Sequence, residues 1–353
     1  MSNPDLDLIE RRIADLVEGF ATAPDAATAD ATCTRMLEAT ARQAVASSEG
    51  GKRLRALLAM DAYAAVGGDD ARTDAVRDLA CAIEVFQTAA LVHDDIIDDS
   101  DLRRGRPAAH KALGAQSGDP ALGVGLGIML GDMLATASVD IADTAARALP
   151  NADEIVHAFL AMHREVEIGQ VLDLAAALGP LDDPERMAAT ALDVSRWKTA
   201  SYTTIAPIEL AMLAAGARPG DARERALAIG GSLGLAFQIT DDLLDVVGNN
   251  TGKPIGGDIR EGKRTVLLAD ALARATPQER DELVAAYGAP SRDDGRVRRV
   301  IALFDATGAV GRSRERIAGL WERTRDAIDA LGLPQEGRDR LVAACARFVP
   351  TVR

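Results

Sequence analysis

Aromatic residues are scarce in this chain, six Phe, three Tyr and two Trp, or 3% of 353 residues. Ala and Leu dominate instead and β-branched runs are short, a composition that favours helix over sheet. Nowhere do strand patterns alternate with helices, which leaves a parallel α/β sheet unsupported. The three cysteines, Cys33, Cys81 and Cys345, stand far apart and match no zinc or redox spacing. They read as buried apolar residues in a reducing compartment. The N-terminus lacks the apolar core of a signal peptide. The longest apolar run, Ala121–Leu130, is too short to span a bilayer. Cationic excess is absent too: a net charge of −14 argues against nonspecific nucleic-acid or anionic-membrane binding. These absences lead us to expect a soluble cytoplasmic protein without a transmembrane segment. No shift in composition marks a boundary, so we expect one domain, residues 1–353, of the all-α class.

What is present is a succession of helix patterns. Leu6, Ile9, Ile13 and Leu16 recur at helical spacing within residues 5–20. Further helices are predicted over 31–46, 54–65, 75–98, 120–143, 152–177 and 195–214, where Pro207 should introduce a kink. The C-terminal third adds 222–247, 265–275, 277–287, 296–307, 311–330 and 335–347, with 21–30 and 248–262 as connections. Gly123, Gly125, Gly127 and Gly131 interrupt the apolar segment 120–143 at about 1 kcal/mol each relative to Ala. That many glycines point to close packing against another helix, or to the wall of a cavity.

The chemistry concentrates in Leu91–Pro107, LVHDDIIDDSDLRRGRP. On a continuing helix Asp94 and Asp98 share a face, with Asp95 offset by roughly 100°. Carboxylates crowded at a helix C-terminus repel one another and oppose the helix dipole, so a cation should offset the cost. Oxygen-only ligands suit Mg²⁺ held partly by phosphates. Arg103 and Arg104 follow closely and can reach phosphate bidentately. By itself the stretch reads equally well as a solvated acidic helix end. A second copy decides: Asp241, Asp242 and Asp245 repeat the Asp-Asp-x-x-Asp spacing at another helix end, followed by Lys253 and Lys263. Upstream, GGKRLR (50–55) sets Lys52, Arg53 and Arg55 at a helix N-terminus, where backbone N–H groups also favour an anion. Extra acids Asp99 and Asp101 read as solvated or supporting, His93 as structural, and Trp197 and Tyr202 as packing.

With these stretches in view, the chain resembles the trans-isoprenyl diphosphate synthases, the polyprenyl synthetase family. The resemblance is carried by GGKRLR, DDIIDDSDLRRGRP (94–107), GQVLDL (169–174), KTASYT (198–203), FQITDDLLD (237–245) and TGKPIGGDIREGKRT (251–265). It implies an isoprenoid synthase helical bundle around a deep central cavity, a homodimer, and head-to-tail condensation of isopentenyl diphosphate with an allylic diphosphate. It implies Mg²⁺, three ions bridging the allylic diphosphate, held by Asp94, Asp95, Asp98, Asp241, Asp242 and Asp245. Arg103, Lys198, Lys253 and Lys263 would meet that diphosphate. Lys52, Arg55, Arg104 and Gln87 would bind isopentenyl diphosphate, with Thr199 and Gln238 near the reacting carbons.

In that family bulky aromatics four and five residues before the first Asp shorten the product. Here these positions are Ala90 and Ala89, and Phe86 lies one turn deeper on the same side. Phe86, with Met129 or Met133, is expected to floor the cavity at geranylgeranyl (C20) length. If Phe86 turns into the core, the product is longer. A class I terpene cyclase would need neither a second DDxxD nor GGKRLR. A noncatalytic synthase subunit tends to lose one Asp motif, and both are intact here.

Overall fold

The first helix forms where apolar residues fall four apart. α1 (Pro4–Ala21) buries Ile9, Ile13 and Val17, each 1% exposed, on one stripe. The structure, a computed structural model, describes residues 4–22, 28, 30–248 and 255–350. The chain divides into two compact units, residues 1–160 with 207–222, and residues 161–206 with 223–353.

The first unit holds α1, α2 (Ala31–Ser48), α3 (Leu54–Ala65), α4 (Thr73–Ile97), α5 (Ala109–Ser117), α6 (Pro120–Ala146), the start of α7 (Ala152–Ala176) and nearly all of α9 (Ala206–Ala214). Between α4 and α5 stands a hairpin of two-residue strands, β1 (Leu102–Arg103) and β2 (Arg106–Pro107), with Arg103 opposite Arg106. Its loop residues, Arg104 and Gly105, are both left-handed (φ 53° and 76°), as a tight type I′ connection requires. Asp119 caps α6 by accepting from the amides of Ala121 and Leu122, and Pro120 starts it.

The α6 glycines divide by role. A Cβ on Gly123 would lie 2.4 Å from Gly114 Cα in α5. One on Gly127 would lie 2.9 Å from His110 Cβ, and one on Gly131 2.2 Å from His93 Nε2. Spaced four apart, these three let α6 settle onto α4 and α5. Gly125 points away and a Cβ there meets nothing within 4 Å. His93 is thereby placed in the α4–α6 packing, its Nε2 3.3 Å from the Ile128 carbonyl oxygen. The helix also runs further than the apolar stretch ending at Leu130. At 27 residues, with an 18-residue stretch of mean hydropathy 1.6, it is long and apolar enough to cross a membrane by length and composition. One face packs through its glycines onto α4 and α5, while Leu122, Val124, Ile128 and Met129 elsewhere on the helix are exposed.

The second unit holds the rest of α7, α8 (Pro184–Val194), most of α10 (Pro219–Val247), α11 (Gly257–Glu261), α12 (Val266–Arg274), α13 (Pro277–Tyr287), α14 (Asp294–Ala306), α15 (Ala309–Asp329) and α16 (Gln335–Cys345). Leu243, Leu268, Leu283, Phe304, Ile317 and Leu320 lie in its core. Where a kink was expected at Pro207, residues Ser195–Ile205 form a π-helix that leads into α9 (Ala206–Ala214). Ala206 donates to Ser201, five residues back, so the wider register is in place before the proline ring, which cannot donate and would clash with a carbonyl four back.

Three helices escaped the sequence reading. α8 has clear start signals, Asp183 accepting from the Arg186 amide and Pro184 at the first position. α5 has no side-chain cap. α11 occupies five residues of the predicted glycine-rich loop, bracketed by Gly256 and Gly262 at φ 81° and 80°. One cysteine also departs from expectation: Cys33 is exposed, while Cys81 and Cys345 are buried.

Candidate active site

α4 contains neither Gly nor Pro, and runs unbroken until its Asp cluster. Asp94 and Asp98 are half-buried on one face. Asp95 turns inward, 2% exposed, and takes Arg103 as a fork: Nε lies 2.9 and 3.1 Å from the two carboxylate oxygens, and the terminal nitrogen also bonds Oδ1. Buried fork-on-fork pairing of this kind fixes a guanidinium more firmly than a point contact. The neighbouring Arg104 donates to the carbonyl oxygens of Glu49 (2.6 Å) and Gly50 (2.9 Å). The hairpin is therefore clasped to the GGKRLR loop, and a Cβ on Gly51 (φ +103°) would press on the Arg104 guanidinium at 3.2 Å. Asp99 and Asp101 stand out in solvent, both engaged by Lys111 at 2.7 and 3.3 Å.

Within GGKRLR the basic residues part company. Lys52 is exposed and Arg55 is buried, 7% exposed. Arg53, expected to join an anion-binding turn, goes the other way and is 2% exposed. The anion at the α3 N-terminus is the protein's own: Glu84 of α4 accepts from the Ala56 amide at 3.1 Å. A lone Glu within the apolar run Leu79–Val92 was the legible signal, since a buried carboxylate requires partners. Gln87 is half-buried on α4, Phe86 and Ala89 are buried (4% and 1% exposed) and Ala90 is half-buried. Met129 is 55% exposed.

In the second unit the C-terminal part of α10 sorts its carboxylates in a similar way. Asp241 is exposed. Asp242, 8% exposed, accepts from Gln238 Nε2 at 2.7 Å, and Gln238 Oε1 accepts from the Thr199 hydroxyl at 2.7 Å. When ionised, Asp242 can only accept, and it then dictates which end of the Gln238 amide faces Thr199. Asp245 accepts from the amides of Gly257 (3.0 Å) and Asp258 (3.2 Å), closing the chain onto the start of α11. Lys263 pairs with Glu261 at 2.6 Å and Asp258 at 3.6 Å. Lys253 lies outside the described residues.

The π-helix presents Lys198 and Thr199. Lys198 Nζ meets Asp173 of α7 at 2.6 Å, each side chain 23% exposed. One turn earlier, a Cβ on Gly169 would lie 2.1 Å from the Lys198 backbone nitrogen, so only glycine permits this approach. Gly169 and Asp173 of GQVLDL thus act together on one neighbour, a pairing that spacing alone does not reveal.

Burial first, and then neighbouring acids, lifts the carboxyls here. Asp242 is pushed well above the usual range, by burial and then Asp258. Burial likewise raises Asp245, while Asp258 is pushed up to about 7, by burial, with Lys263 opposing. Uncompensated negative charge of this kind, on oxygen ligands only, fits a hard divalent cation. Among the described residues, no three His, Cys, Asp or Glu side chains gather as a complete cage.

All-helical architecture with Asp-rich helix ends and basic loops defines the class of the isoprenoid synthases. The chain matches the polyprenyl synthetase family over residues 35–304 and belongs to it. A short chain isoprenyl diphosphate synthase of Methanothermobacter thermautotrophicus is 35% identical over 271 residues, 74% of each protein. A geranylgeranyl diphosphate synthase of Sulfolobus acidocaldarius is 34% identical, covering 68% of this chain and 69% of that one. The crystal structure of a Corynebacterium glutamicum geranylgeranyl pyrophosphate synthase, complexed with isoprenyl diphosphate and magnesium, superposes with TM-score 0.84 at 33% identity over 99% of both chains. Other relatives bear names from farnesyl through geranylfarnesyl to octaprenyl diphosphate synthase, so product length varies among proteins this similar.

Proposed function

We propose that this protein is a Mg²⁺-dependent trans-prenyl diphosphate synthase that joins isopentenyl diphosphate head-to-tail to an allylic diphosphate, with geranylgeranyl diphosphate as product. The observation that carries this reading is the pair of Asp-rich helix ends, each supported by a polar network ending on a substrate-type residue: Asp95 with Arg103, and Asp242 with Gln238 and Thr199. Asp94, Asp95 and Asp98, with Asp241, Asp242 and Asp245, would hold three ions. Bound Mg²⁺ would neutralise the allylic diphosphate and stabilise the charge it gains as its C–O bond breaks.

The chain's own residues do the rest. Lys198, Arg103, Lys253 and Lys263 donate to the departing diphosphate, where fixed donors are worth most in a dry site. Thr199 and Gln238 turn weak dipoles toward the allylic cation without offering a nucleophile. Lys52, Arg55, Arg104 and Gln87 hold isopentenyl diphosphate so that its double bond attacks the cation. A carbon–carbon bond forms as the carbon–oxygen bond is lost, and the proton released from the new chain passes to the freed diphosphate. Ala89 and Ala90 leave room for a chain beyond farnesyl length, and Phe86 closes the floor. We read the working form as a cytoplasmic homodimer of a single catalytic domain, on family resemblance.

The test is incubation of purified protein with Mg²⁺, isopentenyl diphosphate and, separately, dimethylallyl, geranyl and farnesyl diphosphates, with dephosphorylated products weighed by mass spectrometry. A linear C20 alcohol is expected. A C25 or longer product would move the floor below Phe86, and a cyclic hydrocarbon would point to a cyclase.

A further inference from the structure

Arg53 is the largest side chain among those less than 2% exposed by residue or nearly so, at 1% for the side chain itself, yet it lies in the middle of a basic loop. Its guanidinium forks onto Glu10 of α1, Nε to Oε1 and a terminal nitrogen to Oε2, both at 2.8 Å. The same terminal nitrogen also bonds the Ser48 carbonyl, and Glu84 lies 3.6 Å from the other. The backbone of Arg53 is left-handed (φ 47°), an unfavourable setting for a residue with a side chain, held only where surroundings over-determine it. Glu84 in turn accepts from the amide of Ala56 in the first turn of α3. Three elements and one loop thus meet on a single buried cation.

We infer that α1, through Glu10 and Arg53, is a positioning element for the isopentenyl diphosphate loop, setting Lys52 outward and Arg55 inward. Glu10 precedes residue 35, where the family match begins, so this role belongs to a helix outside the matched segment. The inference rests on the assignment of Lys52 and Arg55 to isopentenyl diphosphate. The buried fork is the only side of Arg53 that α1 supplies among the contacts described. Removing the Glu10 charge leaves a buried guanidinium with one carboxylate neighbour and a strained backbone free to relax. The two cationic side chains on either side of it would then lose their relative placement.

Glu10→Gln keeps the shape and removes the charge. Arg12→Ala serves as comparison: Arg12 ties the same two helices through Asp78 at 2.7 Å without touching the loop. Glu10→Gln should raise KM for isopentenyl diphosphate about tenfold while kcat and the allylic KM stay within about twofold, as expected for misplacing one substrate's anchor. Arg12→Ala should leave all three near wild type. Amide exchange at residues 50–56, followed by mass spectrometry on the substrate-free protein, should quicken in Glu10→Gln and not in Arg12→Ala. An unchanged exchange rate in Glu10→Gln, or an equal effect of Arg12→Ala, overturns the inference whatever product the enzyme makes. A wild-type protein that makes no prenyl product would instead overturn the functional reading, while the exchange comparison still decides the role of α1.

Discussion

Asp173 and Lys198 form the clearest residue-scale device, a part-buried ion pair on the lysine proposed to meet the departing diphosphate. An ammonium with a carboxylate at 2.6 Å is already ordered before substrate arrives. Asp173→Asn should therefore raise KM for the allylic diphosphate about fivefold and leave KM for isopentenyl diphosphate unaltered, an outcome steady-state kinetics can refuse by showing equal changes. Among the acids, Asp94→Ala and Asp241→Ala should each lower kcat by about 10²–10³. A loss below tenfold would withdraw that residue from the ion-binding set. Phe86→Ala should lengthen the product; Phe86 is buried, and unchanged product length would make it a residue of the core alone.

At the scale of elements, the α6 glycines offer a comparison within one helix. Gly123→Ala places a Cβ 2.4 Å from the Gly114 Cα and should destabilise the fold by about 1–3 kcal/mol through overpacking. Gly125→Ala meets nothing within 4 Å among the described residues and should stabilise by up to about 1 kcal/mol through helix propensity. Urea denaturation of the two variants reads the difference directly, and equal midpoints would mean that α6 does not pack as described. The π-helix belongs to the same scale. Its wide register accommodates Pro207 downstream, and it carries both Lys198 and Thr199.

For the whole molecule, pH should couple to the divalent ion. The Asp258 carboxyl titrates near 7 in the folded chain, above its value when unfolded. The folded state thus binds the proton more tightly, and without metal this group makes stability rise as pH falls through 7 toward 4. A cation reverses the preference, because the ionised carboxylates around Asp242 then have a partner. Mg²⁺ should raise Tm more at pH 8 than at pH 6, by several degrees at about a hundredfold excess over its dissociation constant. Scanning fluorimetry with equal shifts at both values would contradict a metal held by these acids.

Much of this was legible along the chain. Helix positions followed from apolar spacing in α1 and from the absence of Gly and Pro in α4, because local periodicity reports which face is buried. The doubled Asp-Asp-x-x-Asp and its basic companions identified the chemistry, because metal and phosphate demand those residue types at that spacing. What the sequence could not disclose was which of three similar neighbours does which task. Asp95 and Asp242 turn inward to hold Arg103 and Gln238, while Arg53 leaves its basic neighbours to join Glu10 and Glu84. Asp95 and Arg53 depend on partners 8 and 43 residues away, and Gln238, one turn before Asp242 on the same helix, reaches Thr199 39 residues away, which only packing brings within range. Residue type and local spacing determined the class of protein; the tertiary structure decided the division of labour, since a buried charge is costly unless packing brings it a partner.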